Sequence, residues 1–431
     1  MGIRAGIVVT GTEVLTARTT DRNGPWLSEQ LQGIGLEVAW ITVVGDRPED
    51  LLAALEWQRD QGAGLICTTG GLGPTEDDLT AEVVSRFQQR PMALDEALEG
   101  RIWKILEPLM KRWPDLDPEA IRHSNRKQAL VPDGATVLEP VGTAPGLVVP
   151  APEGAPDGPP VLVLPGPPRE LQAMWPAALE TALMRQVLGD AIDYRWSMLR
   201  MFGIPESEIA ETLRQARDSG IDIDSLEITT CLRRGEVEVV TRSVPGQDEL
   251  HDAWIEFVKA RHEDTLFSDD FKLIDEIVTD LLDERGWTIA TAESCTAGLL
   301  AARLTEKSGS SRRVRGGVIV YANDVKSPLA GVEAALIEAP GAVSTEVAEA
   351  LADGARVAVK PVEGVGITGI AGPTGGTDDK PVGTGWLSGR QSDGKRLTRK
   401  GQNPRPRAAV RDRSTTIAMH LVRRLLLGEH D

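Results

Sequence analysis

Residues 288–311, TIATAESCTAGLLAARLTEKSGSS, set Ser294 beside Cys295 where an apolar, β-prone run gives way to a helical one. Either side chain is a candidate nucleophile, but a serine hydroxyl is weak until a neighbouring base accepts its proton. A Ser-His-Asp arrangement needs histidine, and the chain has only His123, His251, His262, His420 and His430. The last two fall in or beyond a C-terminal helix, so a Ser-Lys arrangement is favoured over a histidine-based one. The best lysine lies in GGVIVYANDVKSPLAGV, where Tyr321 ends a strand and Lys326 follows five residues later. That spacing brings both toward the C-terminal rim of a sheet, where α/β sites form. Desolvation there would lower the lysine pKa and leave a usable base. Taken alone, a tyrosine and a lysine in such a stretch read as surface residues.

Two glycine-rich segments add candidate ligand contacts. GITGIAGPTGGTDDKPVGTGW, residues 366–386, has too many glycines for a helix and reads as a strand followed by a wrapped loop. Donors at Thr368 and Gly369 would suit an oxyanion or carboxamide, and Gly375, Gly376 and Thr377 a phosphate. The plain alternative is a connection between strands. Ser310 and Ser311, in KSGSSRRV, would add phosphate contacts or simply make a turn. Near the start, TTGGLGPTEDDLT (68–80) runs from a strand through a Gly-Gly-Leu-Gly turn to Thr75, Asp77 and Asp78. Such a turn can cradle phosphate, and paired carboxylates can hold a hard cation that bridges phosphate oxygens. The competing role is helix capping, with Thr75 or Asp77 as N-cap and Asp78 in the first turn.

The elements that must carry these residues alternate. Residues 3–10, 37–44 and 64–69 are short β-branched runs, each followed by a helical stretch, the pattern of a parallel sheet covered on both faces. A Pro/Gly loop at 150–160 leads into VLVLPGPPRE, and the first domain is expected to close near residue 172. Residues 194–262 differ: strand, helix, a hairpin around Arg-Arg-Gly, and a second helix, a small α+β segment. From about Phe271 the alternation resumes, with helices expected at 271–285, 296–306, 344–358 and 405–427 and strands at 287–291, 316–321, 363–368 and 382–389. The expected fold is therefore α/β: two α/β domains with mainly parallel sheets, 1–172 and 266–431, joined by a small α+β domain at 173–265.

Composition narrows the class. At 431 residues the chain is long enough for two or three cores. No apolar run reaches membrane-spanning length, and the start lacks a signal-peptide layout, so a cytoplasmic protein without membrane contact is expected. Three scattered cysteines indicate neither a disulfide framework nor a zinc ribbon. A net charge of −18 argues against nucleic acid as a partner. The basic stretch from Arg390 onward is the exception, either a solvated face or a source of anion ligands.

The motifs TAESCTAG, GSS, GGVIVYANDVK, GAVSTEVAEALA, GITGIAGPTGGTDDKPVGT and RPRAAVR, in that order across 271–427, resemble the C-terminal, nicotinamide-nucleotide amidase domain of the competence/damage-inducible CinA family. The resemblance implies metal-free hydrolysis of the carboxamide of nicotinamide mononucleotide to nicotinate mononucleotide and ammonia. It implies Ser294 as nucleophile, Lys326 and Tyr321 as proton-transfer pair, Thr368 against the reacting amide, Ser311 near the reaction centre, and Arg407 and Arg411 as phosphate ligands. One departure is Ala297, where the family usually has glycine; its methyl would crowd a turn that must approach the ligand.

Residues 68–80, with GTEVL, DRNGPWLSEQL, VGDRPEDL, GTAPGL and LPGPPRE, are similar to the molybdopterin-binding-like N-terminal domain of the same family, and the middle segment to its KH-type domain. This implies hydrolysis of the pyrophosphate of ADP-ribose, or of a related dinucleotide such as NAD, with a divalent metal (Mg, Mn or Co). Glu13, Asp46, Asp77 and Asp78 would serve metal or water activation, and Gly70, Gly71, Gly73 and Thr75 the phosphates. Ala17 and Arg22 depart from the family pattern. A homodimer is the implied assembly. The competing reading is a non-catalytic competence or damage-response protein that binds a nucleotide or molybdopterin.

Overall fold

Two packed α/β units, Met1–Tyr194 and Arg195–Asp431, account for the chain in the computed structural model, which describes residues 2–111, 117–155, 158–189 and 191–431. Residues 156 and 157 of the Pro/Gly loop thus lie outside the described residues.

In the first unit the strands are β1 (Arg4–Thr10), β2 (Glu37–Val44), β3 (Leu65–Thr69), β4 (Met92–Leu94), β5 (Leu130–Pro132), β6 (Thr136–Leu138), β7 (Gly146–Val149) and β8 (Val161–Leu164). Six form one sheet in the order β2-β1-β3-β8-β7-β6, while β4 and β5 pair separately. From β2 to β8 the neighbours are parallel, and β7 and β6 add antiparallel edges. Side chains alternate across the sheet as the two-residue period demands. Ile7, Val9, Cys67, Leu162 and Leu164 pack with the helices Asn23–Gly33 and Pro168–Leu179, whereas Val8, Ile66, Val161 and Val163 pack with Pro48–Asp60 and Thr80–Phe87. The unit does not close at residue 172. The helix Pro168–Leu179 passes through that point and buries Leu171, Met174, Trp175 and Ala178 in the same core.

The second unit holds two sheets. β9 (Arg195–Phe202), β10 (Glu227–Arg233), β11 (Glu236–Ser243) and β12 (Leu266–Ser268) form an antiparallel sheet in the order β10-β11-β9-β12, backed by the helices Glu206–Asp218 and Asp248–Arg261. β13 (Ile289–Glu293), β14 (Val314–Ile319), β15 (Glu363–Gly369), β16 (Thr384–Gln391) and β17 (Arg396–Gln402) form a sheet in the order β14-β13-β15-β16-β17. Its first three strands are parallel and its last two antiparallel. Ile289, Val365 and Ile367 face the helices Ile274–Arg285 and Arg407–Leu426, while Ala290 and Ala292 face Thr345–Val359.

Residues 195–265 and 266–431 fall in the one unit, and buried polar contacts join them. His420, 3% exposed, bonds Glu236 at 2.7 Å and stacks on Phe202 at 3.8 Å between centroids. Arg200 bonds Glu238 and the carbonyls of Phe271 and Lys272. At the hairpin tip Gly235 lies so close to Arg413 that a Cβ would sit 1.1 Å from its Nη1.

Candidate active site

The C-terminal ends of β13, β14 and β15 converge on one rim. The Ser294 N–H donates to Ile367 O at 2.9 Å and the Val320 N–H to Glu293 O at 2.8 Å, so the ladders continue one step past the strand ends. The chain then turns through Ala297 (φ +52°) and Gly298 (φ +92°) into the helix Leu299–Leu304, shorter than the expected 296–306. Ala297 is therefore a left-handed alanine, a conformation that costs a non-glycine residue about 1 kcal/mol.

Lys326 opens the helix Lys326–Ala330 and is 1% exposed; Ser294 is 8% exposed. The lysine Nζ donates to the carbonyls of Val320 (2.9 Å), Tyr321 (3.3 Å) and Ala322 (3.4 Å). Burial pulls its pKa below that of a free lysine, opposed by its neighbours Cys295 and Asp324. The amine thus sits in dry surroundings at the serine rim. Among the described residues no hydrogen bond links it directly to the Ser294 hydroxyl. Cys295 turns into the opposite core, where burial pushes its thiol up to about 11, which leaves little thiolate.

Several expected roles change in the structure. Tyr321 is 52% exposed, and its hydroxyl contacts the Arg407 guanidinium, which also donates to Gly372 O at 2.7 Å. Only the Tyr321 carbonyl bonds Lys326. The Thr368 hydroxyl donates to Ala342 O at 2.6 Å, so its one proton is not free for an oxyanion. Gly369 ends β15 against Cys295, where a Cβ would stand 3.1 Å from Sγ. Gly375, Gly376 and Thr377 are exposed, and Thr377 closes its own turn with Lys380 through bonds of 3.0 and 3.1 Å. Ser311 lies in the turn before β14. Because β14 runs parallel to β13, that turn is at the opposite end of the sheet, one strand length or roughly 16 Å from the Ser294 rim. Arg411 donates to the carbonyls of Cys295 (3.1 Å) and Thr296 (2.9 Å), so it braces the serine turn through two of its donors.

The residue that sequence reasoning missed is Glu293. Fully buried, it accepts from the N–H groups of Gly298 (2.9 Å), Leu300 (3.1 Å) and Ala301 (2.8 Å) and from the Thr291 hydroxyl (3.1 Å). Its signal was an acid closing the strand IATAE directly before the serine.

In the first unit a cleft of about 710 Å³ opens beyond the C-terminal ends of β1, β3 and β8. β1 lies between β2 and β3, and the chain reverses its direction across the sheet there, the usual ligand crevice of such folds. Glu13, Asp46, Asp77, Asp78, Gly70, Gly71 and Gly73 all line it, together with Asp21, Asn23 and Glu170, which the sequence did not single out. Burial raises the pKa of Glu170. Gly70 and Gly71 have φ of +103° and +64°, and a Cβ on Gly70 would stand 2.4 Å from Thr10 O. The Gly70 N–H already donates to Leu164 O, so this glycine shapes the turn rather than offering a phosphate donor.

The acidic residues do not form a cage. Among the described residues no three His, Cys, Asp or Glu side chains are grouped to hold a metal ion. Asp46 accepts from the Thr12 N–H at 2.9 Å; Asp77 and Asp78 both contact the Thr75 hydroxyl, and Asp78 also accepts from the Thr75 N–H. This arrangement fits a magnesium-type ion only in the limited sense that one or two carboxylates would bind it, with water and phosphate oxygens completing the shell. Nor are the two aspartates caps: the helix Thr80–Phe87 has Leu79 at its N-cap.

Fold and sites together define a two-unit α/β protein with a ligand cleft at a sheet reversal in one unit and a buried serine–lysine rim in the other. Residues 6–185 match the probable molybdopterin binding domain and residues 272–426 the CinA C-terminal domain. A CinA-like protein of Mycolicibacterium gilvum is 56% identical over 428 residues, covering 99% of this chain and 100% of its own length. One of Mycobacterium tuberculosis is 51% identical over 428 residues, covering 99% and 98%. The crystal structure of competence/damage inducible protein CihA from Agrobacterium tumefaciens matches 34% of this chain and 92% of its own at 35% identity, with a TM-score of 0.33. The chain belongs to the CinA-like protein family. Among the described residues no helix is long and apolar enough to cross a membrane.

Proposed function

We propose that the second unit is an amidohydrolase that converts nicotinamide mononucleotide to nicotinate mononucleotide and ammonia. The observation that carries this reading is the dehydrated amine of Lys326 on the rim that presents Ser294. As substrate enters, neutral Lys326 takes the proton of Ser294 Oγ, directly or through one water, while Oγ attacks the carboxamide carbon. The lysine then returns that proton to the departing nitrogen, so ammonia leaves and an acyl-serine ester remains. Water attacks the ester with Lys326 again as base, and the carboxylate product and free serine are restored. Arg407, exposed beside Tyr321 and Gly372, is the cation available to the phosphate. Purified full-length protein should release ammonia from the mononucleotide, and Ser294→Ala should release none; full activity in that variant would remove the serine from the mechanism.

The cleft of the first unit supports a second hydrolytic reading, cleavage of the pyrophosphate of ADP-ribose or a related dinucleotide. A divalent metal held beside Asp77 and Asp78 would polarise the phosphate oxygens. This chain's own contribution is the tight Gly70-Gly71 turn and an acidic rim that would keep the ion near the phosphates. Product analysis of ADP-ribose with and without magnesium, in wild type and Asp77→Asn, tests it. A protein that binds both nucleotides and releases neither ammonia nor monophosphate would instead be the non-catalytic binder. The homodimer belongs to the same reading, and light scattering on the purified protein checks it.

A further inference from the structure

The Ser294 turn is gripped through its main chain from two sides. From β13, the carboxylate of Glu293 receives the N–H groups of Gly298, Leu300 and Ala301. From the helix Arg407–Leu426, the guanidinium of Arg411 donates to the carbonyls of Cys295 and Thr296. Between them, these two side chains fix peptide groups on both sides of the turn that carries the nucleophile. Neither needs to touch a substrate to do so.

We propose that Glu293 and Arg411 are the positioning residues of the serine, and that Arg411 is not a phosphate ligand. The proposal rests on the amidase reading above. An ionised carboxylate accepts on both oxygens and has no proton to clash with a donor, so four donors can converge on it. A glutamine cannot replace it. With its oxygen toward Gly298 and Leu300, its NH₂ opposes the Ala301 N–H; flipped, it opposes the other two. At least one main-chain bond is lost either way, and the turn relaxes. Arg411 is similarly specific, because Nε and Nη2 reach two successive carbonyls in a fixed fork that an ammonium does not reproduce. A displacement of about 1 Å at a nucleophile lowers turnover roughly 100-fold.

The experiment measures kcat and KM for nicotinamide mononucleotide, and the Kd for nicotinate mononucleotide by calorimetry, on wild type, Glu293→Gln, Arg411→Met and Arg411→Lys in the full chain. Wild-type ammonia release abolished by Ser294→Ala establishes the underlying reading; an inactive wild type ends that reading and this proposal together. With an active wild type, Glu293→Gln should lower kcat about 100-fold and Arg411→Met at least about 10-fold, with KM and product Kd within about threefold of wild type. Arg411→Lys should restore part of the lost kcat. Should Glu293→Gln not fold, the arginine pair decides alone. Arg411→Met with unchanged kcat and a product Kd weakened about tenfold would make the arginine a phosphate ligand and overturn its proposed role. Wild-type kcat in a folded Glu293→Gln would overturn that of the glutamate.

Discussion

Replacing Glu363 by methionine should stabilise the second unit, and more so the higher the pH. Glu363 lies on β15, is fully buried, and has no hydrogen-bond partner among the described residues for either carboxyl oxygen. Burial holds its pKa up at about 8, with the charge of Arg285 opposing. An unfolded glutamate titrates near 4.5, so between these two values the folded protein keeps a proton that the unfolded chain has released. The contribution is fully present below pH 4.5, declines as pH rises, and is gone above about 8, where a buried, unpaired carboxylate must be tolerated. Across the whole interval the loss is about 5 kcal/mol, and between pH 5.5 and 8.5 about 3 kcal/mol. For a unit of this size that is a fall of roughly 6–12 °C in unfolding midpoint. Methionine fills a similar volume and does not titrate. Thermal unfolding of wild type and Glu363→Met across this pH range, compared as a difference, isolates the effect from every other titrating group. Parallel pH profiles for the two proteins would refute the reasoning, since they would show the carboxyl either solvated or paired.

Other outcomes follow from the same geometry. Because burial lowers the Lys326 pKa and only its neutral form accepts a proton, kcat/KM for ammonia release should climb with pH and level off below the pH at which a free lysine titrates; Lys326→Arg should remove the activity at every pH. Ala297→Gly relieves the left-handed alanine and should raise stability by about 1 kcal/mol, seen as a higher unfolding midpoint. Gly235→Ala introduces a Cβ into the Arg413 guanidinium at a position with φ +84°; even with that flexible end displaced, stability should fall by at least about 1 kcal/mol in chemical denaturation.

The residues legible in the sequence share a location. Ser294 and Lys326 stand at or just beyond strand ends, where a switch from two-residue to helical periodicity marks the rim of a parallel sheet. The glycines of 70–73 were readable for the same reason. β17 was not, because RLTRKGQ is an edge strand rich in charge and lacks an apolar alternation. Ser311, set near the reaction centre by the resemblance alone, lies in the turn its residues also allowed, because the crossover returns the chain to the far end of the sheet before β14 begins. Asp77 and Asp78, read as metal ligands, line the cleft, yet the local donors of Thr75 that occupy them carry no signature at that spacing.

Glu293 and Arg411 belong to a different class, for they act on backbone atoms, and a pattern of side-chain types does not encode which peptide groups a turn will leave unpaired. The same holds one layer out. The helix that carries Arg407 and Arg411 also carries Asp412, Arg413 and His420, which meet Arg234, Gly235 and Glu236 of the β10–β11 hairpin. Burial pulls the His420 pKa down while Glu236 pulls it up, and the 2.7 Å bond joins ring and carboxyl in a dry site, so losing it leaves a buried polar group without its partner. The middle segment is thereby built into the scaffold of the serine rim: its hairpin sets the placement of the helix, the helix sets Arg411, and Arg411 sets the turn that presents the nucleophile.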